Sequence, residues 1–392
     1  MCPSYCPNPT CPNHHSPHGR WLSRYGFYHT DAHGAVQRYI CRACKKTVST
    51  QSESVHYFAK RRLPLRAVAA TLTGCSLREV ARRYRVTPTA IRNAVFRIGR
   101  QSMAAQMHLL WAMKDRQRVV YDGLRSFITS QDYPCDITTA IDGDSETILT
   151  MVHSIMRRGG KMSARQRDRI TRKYALWQPQ EGSMTRDIRL LTQEIWGYLA
   201  VRGSQQAIVD TDRHFMYHNV MEESPVAVHL GKAGRVMHRR TSAKLPRTRQ
   251  NPLFPANYVD LLLRHREKEH TRETIAFGRH AVVQMHRAWI FAWDHNGMRE
   301  YRVRHPEWGV RSQTVIDDQR VIGRMNRQFY QRRIRLAGVG VPYSMRQVWE
   351  GKVASPPVKW RKGGVDAPWS MVRIPAYALR DLAQGEVSPA PL

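Results

Sequence analysis

Acidic residues are scarce: 31 Asp and Glu stand against 63 Lys and Arg in 392 residues, a formal net charge of +32. An excess of that size works against a compact chain by self-repulsion unless a polyanion offsets it. Long apolar runs are missing too. No stretch approaches 18 uninterrupted apolar residues, which excludes a membrane-spanning helix. The opening Met1-Cys2-Pro3-Ser4-Tyr5-Cys6 lacks the basic-then-apolar layout of a secretory signal. Cysteine is sparse, seven in all, so a disulfide scaffold is excluded. Five of the seven nevertheless fall within the first 44 positions, and cysteines clustered in a reducing compartment point to metal. There is no internal repeat.

What is present is enough to fold. Hydrophobic residues make up 42% of the chain, and its length predicts two to four domains. The basic residues are mostly Arg, whose planar fork suits bidentate phosphate contacts. Nucleic acid is therefore the first partner to expect, an anionic membrane being the weaker rival, and the motifs below narrow it to double-stranded DNA with no membrane.

Changes in composition divide the chain. Residues 1–62, rich in Cys, His, Pro and Tyr, read as a zinc ribbon. Residues 63–105 read as a helix-turn-helix DNA-binding domain and 106–116 as a linker. Over 117–300, strand-like runs alternate with helical stretches, the pattern of an α/β domain. A basic region over 301–392 follows; it holds an exposed loop with Lys359 and Arg361 and ends in a disordered tail from Glu386.

Cys6-x4-Cys11 and Cys41-x2-Cys44 give two close pairs, one per tight turn, as four tetrahedral thiolates around zinc require. Cys2, His14 and His15 are alternative ligands, whereas Cys75 and Cys135 stand alone in apolar surroundings as core cysteines. Further on, Ser76-Leu77-Arg78-Glu79 fits a capping box, and Thr87-Pro88 opens a second helix. Ile91, Val95 and Ile98 face inward in that second helix, leaving Thr89, Arg92, Asn93, Arg97 and Arg100 outward, where Arg and Asn can read guanine and adenine edges.

Three carboxylates holding two metal ions would serve phosphoryl transfer on DNA. Asp122 ends the apolar run Val119-Val120-Tyr121. Asp210 and Asp212 close the short strand Ala207-Ile208-Val209, and one of them suffices. Asp260 shares a helical stripe with Arg264 and Glu267 in the segment beginning at Asn257. Asp142, Asp144, Asp317 and Asp318 are further acids at element ends.

Taken in order, these motifs resemble those of bacterial DDE-type insertion-sequence transposases, nearest the insertion-sequence-one group, over roughly residues 6–300. The cysteine pairs resemble the family's ribbon, Ser76 to Arg82 its helix-turn-helix opening, and Asp122-Gly123-Leu124-Arg125-Ser126-Phe127 its first-acid strand. Thr211-Asp212 followed by Tyr217 looks like the second-acid motif and favours Asp212. The helix from Asn257 to Arg264, continuing through His270-Thr271-Arg272-Glu273, resembles the third-acid helix. Two positions depart from the pattern: Gly123 and Asn257 both stand where a Glu is usual. Asp260 is then the substitute third acid, with Glu267 behind it. The resemblance implies a multidomain α/β chain whose catalytic domain is RNase H-like, a mixed sheet with helices on both faces. It implies structural Zn²⁺, catalytic Mg²⁺ or Mn²⁺ on Asp122, Asp212 and Asp260, and phosphate contacts from Arg264, Lys268 and Arg272. The expected activity is binding of terminal inverted repeats, cleavage of the ends and strand transfer to target DNA. A homodimer or higher oligomer, in the bacterial cytoplasm with the nucleoid, would carry it out. A regulator that only binds DNA, and a nuclease that cuts without joining, are the competing classes.

Overall fold

The computed structural model describes residues 2–357 except Pro9, His15, Phe58 and the stretches 115–116, 202–205, 225–234, 272–275 and 337–339, and beyond these Ala378, Leu379 and Leu382. The first unit is a three-stranded antiparallel sheet of β1 (Leu22–Thr30), β2 (Gly34–Cys41) and β3 (Thr47–Ser49). Its register slips between Arg24 and Phe27, where Gly26 takes φ +75°, a left-handed conformation that costs glycine little.

Three helices follow: α1 (Leu65–Leu72), α2 (Leu77–Arg83) and α3 (Pro88–Ala112). Ser76 Oγ accepts from the Glu79 N–H at 3.3 Å, while the Glu79 carboxylate meets Arg82 at 3.1 Å instead of closing the capping box. Thr87 Oγ1 accepts from the Ala90 N–H at 3.2 Å, and Pro88 starts the helix. Between α2 and α3 the chain turns on Arg85, at φ +50°.

The expected linker over 106–116 is corrected here, because α3 stays helical to Ala112 and runs 25 residues, about 37 Å. Its polar residues are buried by long-range partners. Arg100 donates to the Trp349 carbonyl at 3.0 Å, Gln101 to that of Phe329 at 2.7 Å, and Gln106 to that of Ile148 at 2.8 Å. Arg100 is therefore not an outward group. Gly99 lets α3 close on α8 (Ala281–Trp293): a Cβ there would stand 2.3 Å from His286 Nδ1.

The main sheet has five strands in the order β6-β5-β4-β7-β8. β4 (Arg118–Ile128), β5 (Ser130–Asp142) and β6 (Ile148–Ile155) form an antiparallel meander, and β7 (Ala207–Asp212) and β8 (Val236–Thr241) add parallel to β4. Successive strand residues point to opposite faces. On β6, Ser154 bonds Asp187 of α5 (Ser183–Val201), and its neighbour His153 bonds Gln284 of α8. Helices thus cover both faces of a mixed sheet.

α4 (Ala164–Leu176) precedes α5, while α6 (Phe215–Glu223) and α7 (Phe254–Arg266) follow β7 and β8. The region over 301–392 is corrected as well. Its strands β9 (Glu300–Arg302) and β10 (His305–Val310) and helices α9 (Arg320–Gln328) and α10 (Tyr343–Trp349) belong to the body, with Phe329, Met345 and Trp349 buried in one core that reaches from α1 to Leu382. Lys359, Arg361 and the tail lie outside the described residues. Among the described residues no helix is long and apolar enough to cross a membrane.

Candidate functional site

Two groups of side chains converge. In the first, Cys41 ends β2 and Cys44 lies in the turn that follows, just before Lys45 at φ +58°. Cys6 and Cys11 arrive on the N-terminal loop. The four Sγ atoms all lie within 4.8 Å of one another, with Cys6–Cys44 at 3.3 Å and Cys11–Cys41 at 3.7 Å. Thiolates bound at about 2.3 Å around a tetrahedral ion stand about 3.8 Å apart, so this cluster could hold a metal such as zinc. Burial resists ionisation of Cys44, yet the Lys46 backbone N–H and the neighbouring Cys6 and Asn8 groups bring its thiol down to about 6. Of the alternative ligands, Cys2 is exposed, His14 turns its Nδ1 to the Cys6 carbonyl at 2.6 Å, and His15 is outside the described residues. Cys135 is buried beside Gln284 and Cys75 is half-buried. Cys41→Ser with Cys44→Ser should lower bound zinc by about one ion per chain and loosen residues 2–49 to proteolysis, since such metal sites couple to folding. Zinc content equal to that of the wild type by elemental analysis would sink the assignment.

The second group is acidic. β4 and β7 run parallel with Val120 opposite Asp210. Two residues further on, each strand carries an aspartate, Asp122 and Asp212, on adjacent strands about 4.8 Å apart. Asp210 is not available: it is fully buried between Arg118 at 2.7 Å and Arg239 at 2.7 Å. Asp212 accepts from the His214 N–H at 2.8 Å, and Asp122 from the Gly123 N–H at 2.8 Å. Burial pushes the Asp122 carboxyl up to about 6; the Gly123 N–H opposes this, and the charges of Asp212 and Asp136 add to it.

α7 supplies Asp260, whose Oδ1 is buried without a hydrogen-bond partner. Burial raises its carboxyl well above the usual range, Asp122 and Asp136 raise it further, and Arg264 and Arg247 draw it down. Tyr217 of α6, almost wholly buried, feels Asp122, Asp136, Asp212 and Asp260 together. Asp122 and Asp260 are each made harder to ionise by burial and by neighbouring carboxylates, and one Asp260 oxygen is left without a hydrogen bond. The oxygens are spread more widely than the four sulfurs, which form the single group of three or more His, Cys, Asp or Glu within 4.8 Å among the described residues.

Asn257 instead bonds within its own helix, donating to the Leu253 carbonyl at 3.1 Å. Glu267 is elsewhere, capping the end of α7 in a buried pair with Arg287 at 2.6 Å. Arg264 donates to the carbonyls of Arg125 at 3.1 Å and His270 at 3.3 Å, and Lys268 is exposed. Arg272 is outside the described residues. On α3, Thr89 and Asn93 are exposed while Arg92 and Arg97 are half-buried. Burial and the charges of Arg62 and Arg97 push the nearby His56 down to about 4. The remaining acids serve structure: Asp142 accepts from the Ser145 N–H at 2.8 Å, and Asp317 and Asp318 pair with Lys114 and Arg320.

Sequence reasoning missed two residues. Asp136 on β5 is buried, pairs with Arg125 at 3.2 Å, and accounts for Gly123: a Cβ at Gly123 would stand 2.6 Å from both Asp136 carboxylate oxygens. Its signal was the apolar strand from Ile137 read without the acid before it. Arg247, exposed in the basic loop between β8 and α7, acts on both Asp122 and Asp260. No protein-family model matches the chain, and comparison with curated proteins gives no match.

Proposed function

We propose that the chain is a DNA transposase of the DDE type, with Asp122, Asp212 and Asp260 as its acids. The observation that carries this reading is that carboxylates from two parallel strands and a helix gather around Tyr217, which feels Asp122, Asp212 and Asp260 together, while Asp260 in turn feels Asp122. A mixed sheet with helices on both faces supports the RNase H-like form of the catalytic domain, and the four cysteines and the capped α2–α3 pair support a DNA-binding N-terminus.

In this reading the acids hold Mg²⁺ or Mn²⁺, which when bound sharpen an attacking water or hydroxyl and stabilise the leaving oxygen of an in-line displacement. The chain's own residues do the positioning. Arg264, fixed on two main-chain carbonyls, orients α7 and tempers the charge on Asp260. Arg247 and Lys268, both exposed beside this end of the sheet, take flanking phosphates. Thr89, Arg92, Asn93 and Arg97 on the first turns of α3 face the major groove of the terminal repeats, where a good bidentate contact is worth about 1–3 kcal/mol of discrimination.

The departures at Gly123 and Asn257 favour a second reading, a DNA-binding regulator without catalysis. Incubation of the purified chain with duplexes of its element's ends, target DNA and Mg²⁺ separates the classes. Joined products are expected; cut ends without joining would make it a nuclease, and binding alone would make it the regulator. Asn93→Ala should lose preference for end sequences while keeping general DNA affinity, measured by competition binding.

A further inference from the structure

Between Arg157 and Lys173 the chain carries eight basic residues against a single acid, Asp168, and neither site described above uses them. The stretch leads into α4, which buries one side chain, Ile170. What holds α4 down is one carboxylate. Asp132, near the start of β5 and 1% exposed, meets Arg158 at 3.0 Å, Arg169 at 2.8 Å and Lys173 at 2.7 Å. Tyr133 adds its hydroxyl to the Lys173 and Trp177 carbonyls, each at 3.2 Å. One buried charge cannot neutralise three cations, and five further basic residues stand outside this anchor. Of these, Arg165, Arg167 and Arg172 are exposed on α4 itself.

Asp132 is spent on the inner face, and on the outer face Asp168 meets only Arg172, at 2.5 Å, so that face keeps an excess of guanidinium groups. Leu176 is the single exposed large apolar side chain on α4, so it has no apolar face to bury in a bilayer. Position is the second argument. Thr139 pairs with Asp122 across β4 and β5, and the seven residues from Asp132 to Thr139 span about 23 Å along the strand. That is roughly seven base pairs of duplex at 3.4 Å each. A duplex with a phosphate at the acids therefore reaches α4.

We propose that α4 and the segment entering it form a phosphate track for DNA flanking the reacting phosphate. The inference rests on the transposase reading and adds a contact surface to it. It is tested on the full chain by fluorescence anisotropy with a duplex of about 30 base pairs over a range of salt, comparing the wild type with Arg165→Gln/Arg167→Gln/Arg172→Gln. The slope of log affinity against log salt should become shallower by roughly two to three, at about 0.9 per lost phosphate contact. The matching triple Lys variant should keep the wild-type slope, which separates charge from any change in folding. An unchanged slope in the Gln variant, with steep salt dependence in the wild type, overturns the track and leaves the transposase reading standing. A wild type without salt-dependent DNA binding overturns both. Loss of binding to phosphatidylserine-containing vesicles in the Gln variant, with its DNA slope intact, assigns the surface to membranes and also overturns the track.

Discussion

Asp260→Asn is expected to cut metal-dependent DNA cleavage by about a thousandfold or more, some 4 kcal/mol of barrier, while DNA affinity stays near that of the wild type. Asp122→Asn and Asp212→Asn should behave alike, and Asn257→Ala should change the rate little. Two closely spaced divalent ions need several anionic ligands to offset their mutual repulsion. Asn257 offers only an amide, already engaged by Leu253, whereas Asp260 carries a buried oxygen with no hydrogen bond. A pH profile gives an independent readout. With Asp122 held up at about 6, protons compete with metal as the pH falls through that value, so wild-type metal binding should weaken on the acid side. Asp260 is raised further still, by burial and in part by the charge of Asp122, so Asp260→Asn removes one competing proton and the acid-side fall in metal binding should become shallower. Wild-type cleavage and an unmoved pH profile in Asp260→Asn would remove Asp260 from the site.

The second large effect concerns stability. Arg287 is 5% exposed on α8 and holds three things at once: Glu267 at 2.6 Å, Glu269 at 3.4 Å, and the carbonyl of Leu72 at the end of α1, at 2.8 Å. Arg287→Met should cost about 3–5 kcal/mol, because it strands two buried carboxylates and a carbonyl without their cation. That is a large part of the roughly 5–15 kcal/mol that keeps a typical domain folded. Combining it with Glu267→Gln and Glu269→Gln should recover much of the loss, since neutral amides no longer demand a counter-charge. Urea denaturation checks both. A loss under about 1 kcal/mol in Arg287→Met would show that this cluster is not the brace its geometry describes. The same measurement decides how a Glu267 variant is to be read: lost activity there follows lost folding, not a lost metal ligand.

The parts legible in the sequence are those whose chemistry is local. Cysteine spacing located the four sulfurs because each pair sits on one turn. Ser76 and Thr87 marked helix starts because a cap bonds its own neighbours, and the acids within β4 and at the end of β7 could be found because short apolar runs lead into them. What stayed hidden depends on distant partners. Gly99, Arg100, Gln101 and Gln106 look like the end of a helix or a solvent face, yet Arg100 and Gln101 bond carbonyls 249 and 228 residues away. The same holds for Glu267, which shares a helical stripe with Asp260 on paper but is drawn off by Arg287. Gly123 was a puzzle in the sequence until Asp136, on the paired strand, filled the space beside it.

The unbroken α3 has one more consequence. Its first turns carry the residues proposed to read DNA, and its later turns are locked under α8 and the sheet that bears the acids. On the proposed reading, reader and cutter would share one rod, and the distance between them would be set by a count of helical residues. Deleting a single residue between Val95 and Gly99 would turn the reading face by 100° and draw it in by 1.5 Å. In a transposase the helix would act as a gauge, fixing how many base pairs separate the sequence recognised from the phosphate attacked, so an element end could change its letters more easily than its spacing.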